Sequence, residues 1–261
     1  MTPTSFPRRY RCAVFLLMAL LCVAPAAARS HPKRILFIGD SVTDGGWGRS
    51  NGTMMPSSER NHTDLNHIYG HSYMYLCAAE LERRFPERNY AFFNRGISGN
   101  TLEKMAARWE EDALALQPDL ISVLIGINDV SECLKQKEKT FDFDAWERRY
   151  RNLLDDCRRQ NPQIRLVLCT PFSLPVGKLE NEENQEVRRE MLEHLAEIIQ
   201  NIAQDYGAVC LRYDRYFPKW QDSPRTPSET YWIWDGIHPT PAGHAAMARI
   251  WLRSLKRKSW L

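Results

Sequence analysis

The residue types best suited to chemistry stand in two segments that are far apart in the sequence. FIGDSVTDGG (37–46) carries Ser41 directly after an apolar run, and WIWDGIHPTPAGH (232–244) carries Asp235 and His238. An aspartate three residues before a histidine on a tight turn can accept the imidazole Nδ1–H and leave Nε2 free to face a serine hydroxyl. These residues predict nucleophilic catalysis by Ser41 if the fold brings the two segments together.

The turn around Ser41 fits more than one interpretation by itself. Glycines after a strand let the backbone approach a phosphate, and they also form the sharp turn that displays a nucleophile. A phosphate loop normally adds the lysine of GxxxxGK[ST] or the spacing GxGxxG, and the sequence contains neither. Ser41 could also cap a helix, Asn128 could be a turn residue and His238 a structural histidine. The elements around these residues have to decide.

Short apolar runs alternate with amphipathic stretches along most of the chain. The pattern predicts strands at 34–39, 90–94, 120–126, 165–170 and 208–212, and helices at 72–85, 101–116, 144–159, 184–206 and 242–255. This alternation indicates right-handed crossovers and a parallel sheet with helices on both faces. The sequence has no Pro- or Gly-rich linker and no internal repeat, so we predict one α/β domain.

Four predicted strand ends carry small or polar residues. They are Gly39-Asp40-Ser41, Asn94-Arg95-Gly96, Gly126-Ile127-Asn128-Asp129 and PFSLPVG (171–177). Because the carboxyl ends of parallel strands share one edge of the sheet, these residues are expected at one rim, where α/β proteins bind their ligands.

Three of these segments, together with Asp235-Gly236-Ile237-His238-Pro239, resemble the four motif blocks of the SGNH, or GDSL-type, hydrolases and occur in the family's order. The resemblance implies a flavodoxin-like three-layer domain with a five-stranded parallel sheet in the order 2-1-3-4-5. It implies that Ser41 is the nucleophile, that His238 is the general base and then the acid, and that Asp235 orients His238. It further implies an oxyanion hole formed by the N–H groups of Ser41 and Gly96 and the side-chain amide of Asn128. No metal or organic cofactor is required for this chemistry.

The N-terminus has the features of a secretory signal peptide. Three arginines precede the apolar run CAVFLLMALLCVA (12–24), which is too short to span a bilayer, and an A-x-A sequence ends at Ala28. We therefore predict a leader at 1–28, a hydrolase domain at 29–261, and a periplasmic or secreted protein without stable membrane insertion. An uncleaved anchor, or a lipoprotein modified at Cys22, is the alternative. Loss of the leader reduces the net charge from +3 to zero, which gives no indication of a nucleic-acid partner.

Cysteines and histidines give weaker signals. Five cysteines follow the predicted leader, and a bridge between Cys133 and Cys157 is possible, although the odd number leaves at least one unpaired. His67 and His71 have a spacing that suits a metal on a helix, but Gly70 between them argues against a regular helix. We therefore predict no metal site.

Substrate preference is predicted from the rim of the sheet. Trp47 lies in a long insertion (43–69) beside Ser41, and Trp232 and Trp234 precede Asp235. Their indoles could offer flat faces to sugars, while the alternation of Trp232 and Trp234 along the chain suggests that one of them packs into the core. The other rim residues are mostly polar. We therefore predict an esterase that removes short acyl groups, with acetyl as the expected group, from carbohydrates; a lipase, lysophospholipase or thioesterase, or a catalytically silent glycan-binding module, is the alternative.

Overall fold

The structure is a computed structural model that describes residues 1, 33–49 and 54–261. The predicted leader at 1–28 lies, apart from residue 1, outside the described residues. Five parallel strands form one sheet: β1 Arg34–Gly39, β2 Ala91–Gly96, β3 Leu120–Leu124, β4 Arg165–Cys169 and β5 Val209–Leu211. They are hydrogen-bonded in the order β2-β1-β3-β4-β5, so the predicted topology is confirmed.

The helices are α1 Ser41–Asp44, α2 Tyr73–Arg84, α3 Leu102–Ala106, α4 Trp109–Asp112, α5 Ile127–Leu134, α6 Phe143–Gln160, α7 Gln185–Asp205, α8 Tyr213–Gln221 and α9 Pro241–Arg257. The helix predicted at 101–116 is divided into α3, α4 and a 3₁₀ turn at Leu114–Leu116. The break at Arg108 coincides with its guanidinium turning inward to the Asn100 Oδ1, the Asp112 carboxylate and the Gly39 carbonyl. Helices α5 and α8 were not predicted. Each begins shortly after a strand and is too short to show a clear amphipathic repeat in the sequence.

Each face of the sheet is covered by its own apolar core. Leu36, Ile38, Ile121 and Leu166 point toward α3–α7, where Trp146 and Leu195 are also buried. Ile35, Phe37, Leu120 and Val167 point to the other face, which α2, α8 and α9 cover with Met74, Phe217 and Trp251. Nearly continuous apolar strands are what a sheet covered on both faces requires, and the two cores hold the strand ends at one fixed rim.

The cysteines among the described residues take no part in covalent cross-links. Cys77, Cys133, Cys157, Cys169 and Cys210 are all free thiols. The bridge considered between Cys133 and Cys157 is therefore wrong for this structure: both side chains are buried as apolar packing groups. Among the helices that the structure describes, none is long and apolar enough to cross a membrane.

Candidate active site

Ser41 is placed just after the carboxyl end of β1, an interior strand of the sheet. It is the first residue of α1, and the Asp40 carboxylate caps this helix by accepting the Val42 N–H at 3.0 Å. The capping role considered for Ser41 thus belongs to Asp40. The Ser41 hydroxyl is left available for a partner from outside the turn.

That partner comes from a closed turn before α9. The turn is shut by an isolated antiparallel bridge between Ile233 and Pro239 and by the Trp234 N–H, which donates to the His238 carbonyl at 3.1 Å. Asp235 Oδ1 accepts the backbone N–H groups of Ile237 at 3.1 Å and His238 at 2.8 Å. One carboxylate oxygen therefore builds the turn and the other remains free for the imidazole.

The three side chains form one continuous hydrogen-bonded chain. Ser41 Oγ lies 2.8 Å from His238 Nε2, and His238 Nδ1 lies 2.8 Å from Asp235 Oδ2. If Nδ1 carries the proton that is donated to Asp235, Nε2 is an acceptor aimed at the serine hydroxyl. In chemical terms, this geometry lets a histidine take the proton of a serine that attacks a carbonyl carbon.

The electrostatics of the turn favour a basic imidazole. Burial opposes the charge on Asp235, but hydrogen bonds from the His238 ring and from the His238 and Ile237 N–H groups outweigh it and lower the pKa of Asp235 to about 2. The pKa of His238 is raised above its ordinary value of 6.5, mainly by the hydrogen bond to Asp235 and against the effect of burial; the charge of Asp40 also raises it, and that of Lys178 lowers it. Asp235 is thus the anion that supports a positive His238.

Two further carboxylates are buried at the same rim. Burial raises the pKa of Asp40 to about 7 and that of Asp129 to about 6. Asp129 accepts the Leu102 N–H at the start of α3 and the Trp146 Nε1–H. Its role is to join α5 to α3 and α6, which keeps the neighbouring Asn128 in place.

Asn128 lies in the first turn of α5 rather than in a loop. Its Nδ2 donates one hydrogen to the Asn100 carbonyl at 3.0 Å. A side-chain amide has two such hydrogens, and the second has no acceptor among the described residues. Asn128 can therefore donate to a ligand while it holds the turn that follows β2.

Gly96 does not provide a free amide, and the prediction of an oxyanion role for its N–H is wrong. That N–H donates to Asn94 Oδ1 at 2.9 Å, and the residue is buried. A Cβ at Gly96 would lie 2.3 Å from the Asp44 nitrogen. Glycine is needed here because α1 packs directly on the backbone, so the motif glycine serves packing and not hydrogen bonding to a ligand.

The free amide of this turn belongs to Gly99, which sequence reasoning missed. Gly99 is partly exposed, has a φ of +76°, and its N–H has no acceptor within the described part of the chain. The residues on either side are fixed: the Ile97 N–H donates to the Gly39 carbonyl at 3.0 Å, and Asn128 holds Asn100. The second glycine of NRGISGN was the available signal, because a left-handed φ favours glycine.

Trp47 is buried, and this contradicts its predicted contact with substrate. Its side chain is 1% exposed, and its Nε1 donates to the Gly96 carbonyl at 2.8 Å. The guanidiniums of Arg60 and Arg95 lie 4.6 and 5.0 Å from the indole ring. The indole supports the turn after β2 and has no face free for a sugar.

Trp232 and Trp234 lie in different environments. Trp232 packs with Trp220 at a ring separation of 5.6 Å, and its Nε1 donates to Thr226 Oγ1 at 2.9 Å. Trp234 is 51% exposed, stacks on the His238 ring at 6.4 Å, and has the Lys178 Nζ 4.9 Å from its ring centre. Of the two indoles, only that of Trp234 is exposed beside the reactive histidine.

The structure places His67 and His71 on the surface of the insertion. Within residues 33–49 and 54–261, no group of three or more histidine, cysteine or acidic side chains is arranged to hold a metal ion.

Comparison with known proteins identifies the family of this chain. The model of the GDSL-like lipase/acylhydrolase family matches residues 37–246. An acetylxylan esterase of Geobacillus stearothermophilus is 32% identical over 227 residues, covering 85% of this chain and 94% of the relative.

Solved structures give the same result. Catalytic mutants of the Geobacillus enzyme Axe2, in which an aspartate, a histidine or a serine is replaced by alanine, superpose with TM-scores of 0.67–0.69 at 29–30% identity, over 85% of this chain and 94% of theirs. A protein from Parabacteroides merdae described as a GDSL-like lipase gives a TM-score of 0.70 at 28% identity, over 85% of this chain and 95% of that one. The chain therefore belongs to the GDSL-like lipase/acylhydrolase family and is a serine ester hydrolase.

Proposed function

We propose that this hydrolase removes acetyl groups from carbohydrates outside the cytoplasm. The observation that carries the proposed chemistry is the chain of two 2.8 Å hydrogen bonds from Ser41 through His238 to Asp235. The similarity to an acetylxylan esterase supports a carbohydrate ester as substrate. The leader features of residues 1–28 support export.

Catalysis would proceed through an acyl-enzyme. His238 Nε2 accepts the Ser41 proton as Oγ attacks the ester carbonyl, and the sugar hydroxyl leaves with that proton when the carbon–oxygen bond breaks. Water then attacks the acetyl-enzyme, gives a proton to Nε2, and releases acetate as Ser41 regains its proton. Asp235 stabilises the imidazolium in both steps.

The oxyanion of each tetrahedral intermediate would be held by three donors. They are the Ser41 N–H, the Gly99 N–H and the second amide hydrogen of Asn128, none of which has an acceptor among the described residues. Asn128 and the Gly99 turn are tied together by the hydrogen bond to the Asn100 carbonyl, so these donors are held in fixed positions. Preorganised donors of this kind stabilise the transition state more than the bound ester.

Trp234 would bind the sugar. Its exposed indole lies beside His238, the residue that returns a proton to the leaving sugar. A pyranose has apolar C–H faces that pack on aromatic rings, and Lys178 can donate hydrogen bonds to hydroxyls nearby.

Two measurements test this function. Acetate release is measured on a panel of acetylated polysaccharides. The same polymers after chemical deacetylation serve as the blank. In parallel, kcat/KM is compared for acetate, butyrate and octanoate esters of one leaving group. We expect acetate release from at least one polysaccharide and the highest kcat/KM for acetate. A kcat/KM that rises with chain length would contradict the proposal and favour a lipase.

A further inference from the structure

A buried ion pair lies three residues beyond the nucleophile. Asp44, the last residue of α1, is fully buried, and its carboxylate accepts Arg60 Nη1 at 2.6 Å and Arg60 Nη2 at 3.2 Å. The Arg60 side chain is also fully buried, and its Nε donates to the Met55 carbonyl at 3.2 Å. Removing both charges from water is costly, so the pair is kept at a place where its geometry has a use.

The same carboxylate holds the turn that carries the free amide. Asp44 Oδ2 accepts the Ser98 N–H at 3.0 Å and the Ser98 hydroxyl at 2.9 Å. Ser98 directly precedes Gly99, and its carbonyl belongs to the same peptide unit as the Gly99 N–H. Fixing both donors of Ser98 therefore fixes the direction of the Gly99 N–H relative to α1, whose first residue is Ser41.

Trp47 anchors the other end of this turn. Its Nε1–H holds the Gly96 carbonyl at 2.8 Å, and Arg60 lies over its ring. Arg60 and Trp47 both come from the insertion at 43–69. This insertion was predicted to contact substrate, yet its buried part reaches the rear of the turn that carries the oxyanion donor.

We propose that Asp44 and Arg60 are positioning residues that set the oxyanion hole by locking Ser98, and through it the Gly99 N–H, to the helix that bears Ser41. This inference rests on the proposed serine-esterase mechanism. A misplacement of catalytic groups by about 1 Å can cost about 100-fold in rate, and an oxyanion donor acts mainly on the transition state, so ground-state binding is little changed. The arrangement therefore predicts a loss in kcat and not in KM.

Arg60→Lys keeps the charge and removes the two-pronged contact with Asp44. We expect kcat for an acetyl ester to fall about 10- to 100-fold with KM within about twofold. Binding of a trifluoromethyl ketone, which adds to Ser41 and places an oxyanion in the hole, should weaken by the same factor. Binding of a non-hydrolysable ether analogue of the ester should not change.

A control is available in a second, half-buried ion pair. Arg212 contacts Asp214 with two hydrogen bonds of 2.9 and 2.7 Å at the end of β5, the edge strand opposite β2. Arg212→Lys also removes a two-pronged contact with a carboxylate; it should lower the melting temperature and leave kcat within about twofold. An equal loss of kcat in both variants would overturn the proposal, as would unchanged ketone binding in Arg60→Lys.

Ser98 provides a test that does not depend on the stability of the ion pair. Ser98→Ala removes one of its two hydrogen bonds and should lower kcat about 3- to 10-fold, while Ser98→Thr, which keeps the hydroxyl, should restore most of it. Wild-type kcat in Ser98→Ala would contradict the inference. The activity of Ser41→Ala is measured alongside. If Ser41→Ala remains active, the serine-esterase mechanism itself is wrong. If Ser41→Ala is inactive and Ser98→Ala is fully active, only the positioning role is refuted.

Discussion

The two sides of Ser41 are built in different ways. On one side, side chains meet directly: His238 and Asp235 lie three residues apart in one turn and are hydrogen-bonded to each other. On the other side, the donors are mostly backbone N–H groups, and their direction depends on buried residues from β2, α1 and the insertion. The base side is thus specified locally, and the oxyanion side is specified by the tertiary structure.

The largest effect should come from the residue that both sides share. Ser41→Ala removes the nucleophile, so kcat should fall by about 10⁴- to 10⁶-fold without unfolding, because only a hydroxyl is lost. The check is a turnover assay with circular dichroism, together with labelling by a serine-directed phosphonate in wild type. A label on another residue, or most of the activity retained, would contradict the nucleophile assignment.

A change on the base side should alter both rate and pH dependence. Wild-type kcat/KM should fall as pH decreases through a pKa above 6.5, because protonated His238 cannot accept the serine proton and its pKa is raised by Asp235. Asp235→Asn should lower kcat by about 10⁴-fold and move this acid limb to lower pH. The control is Asp119→Asn. Asp119 lies at the amino-terminal ends of the strands, where it accepts the Arg34 N–H. If the acid limb of the pH profile does not shift in Asp235→Asn, Asp235 does not raise the pKa of His238.

A change on the oxyanion side should alter rate alone. Asn128→Ala should lower kcat by about 10²- to 10³-fold with little change in KM, since the lost donor acts on the developing negative charge. The control is Asn161→Ala, which removes a comparable hydrogen bond, from a side-chain amide to the Pro118 carbonyl, far from the rim. This variant should leave kcat within about twofold. An effect of Asn128→Ala confined to KM would assign the residue to ground-state binding.

The smallest effect should concern the sugar. Trp234→Ala should raise KM for an acetylated oligosaccharide about 3- to 10-fold, the value of one stacking contact, and leave p-nitrophenyl acetate unaffected. Trp232→Phe, which keeps a packed aromatic ring in the core two residues earlier, is the control. Equal changes for both substrates would mean that Trp234 supports His238 instead of binding sugar.

The sequence predicted the base side well because that side depends on residue types and short spacings. Ser41, Asp235 and His238 follow from chemistry that few other residues can perform, and the sheet order follows from apolar runs that alternate with helices. The fold errors were small: α5 and α8 are too short to show a clear period.

The oxyanion side could not be predicted in the same way. Gly96 ends β2 and Gly99 lies three residues later, and the availability of their N–H groups depends on Asn94 and on the left-handed φ of Gly99. Trp47 was expected at the surface because it lies in a long insertion, yet a single hydrogen bond to Gly96 and two guanidiniums hold it inside. Such contacts join segments that are distant in the sequence, so the sequence alone does not show them.

The most direct test of the account is the structure of the phosphonate adduct at Ser41. The account predicts that a phosphoryl oxygen lies about 2.7–3.1 Å from the Gly99 nitrogen, the Ser41 nitrogen and Asn128 Nδ2, with Gly96 still bonded to Asn94. An adduct oxygen that bonds to the Gly96 N–H, or that points away from Gly99 and Asn128, would contradict it.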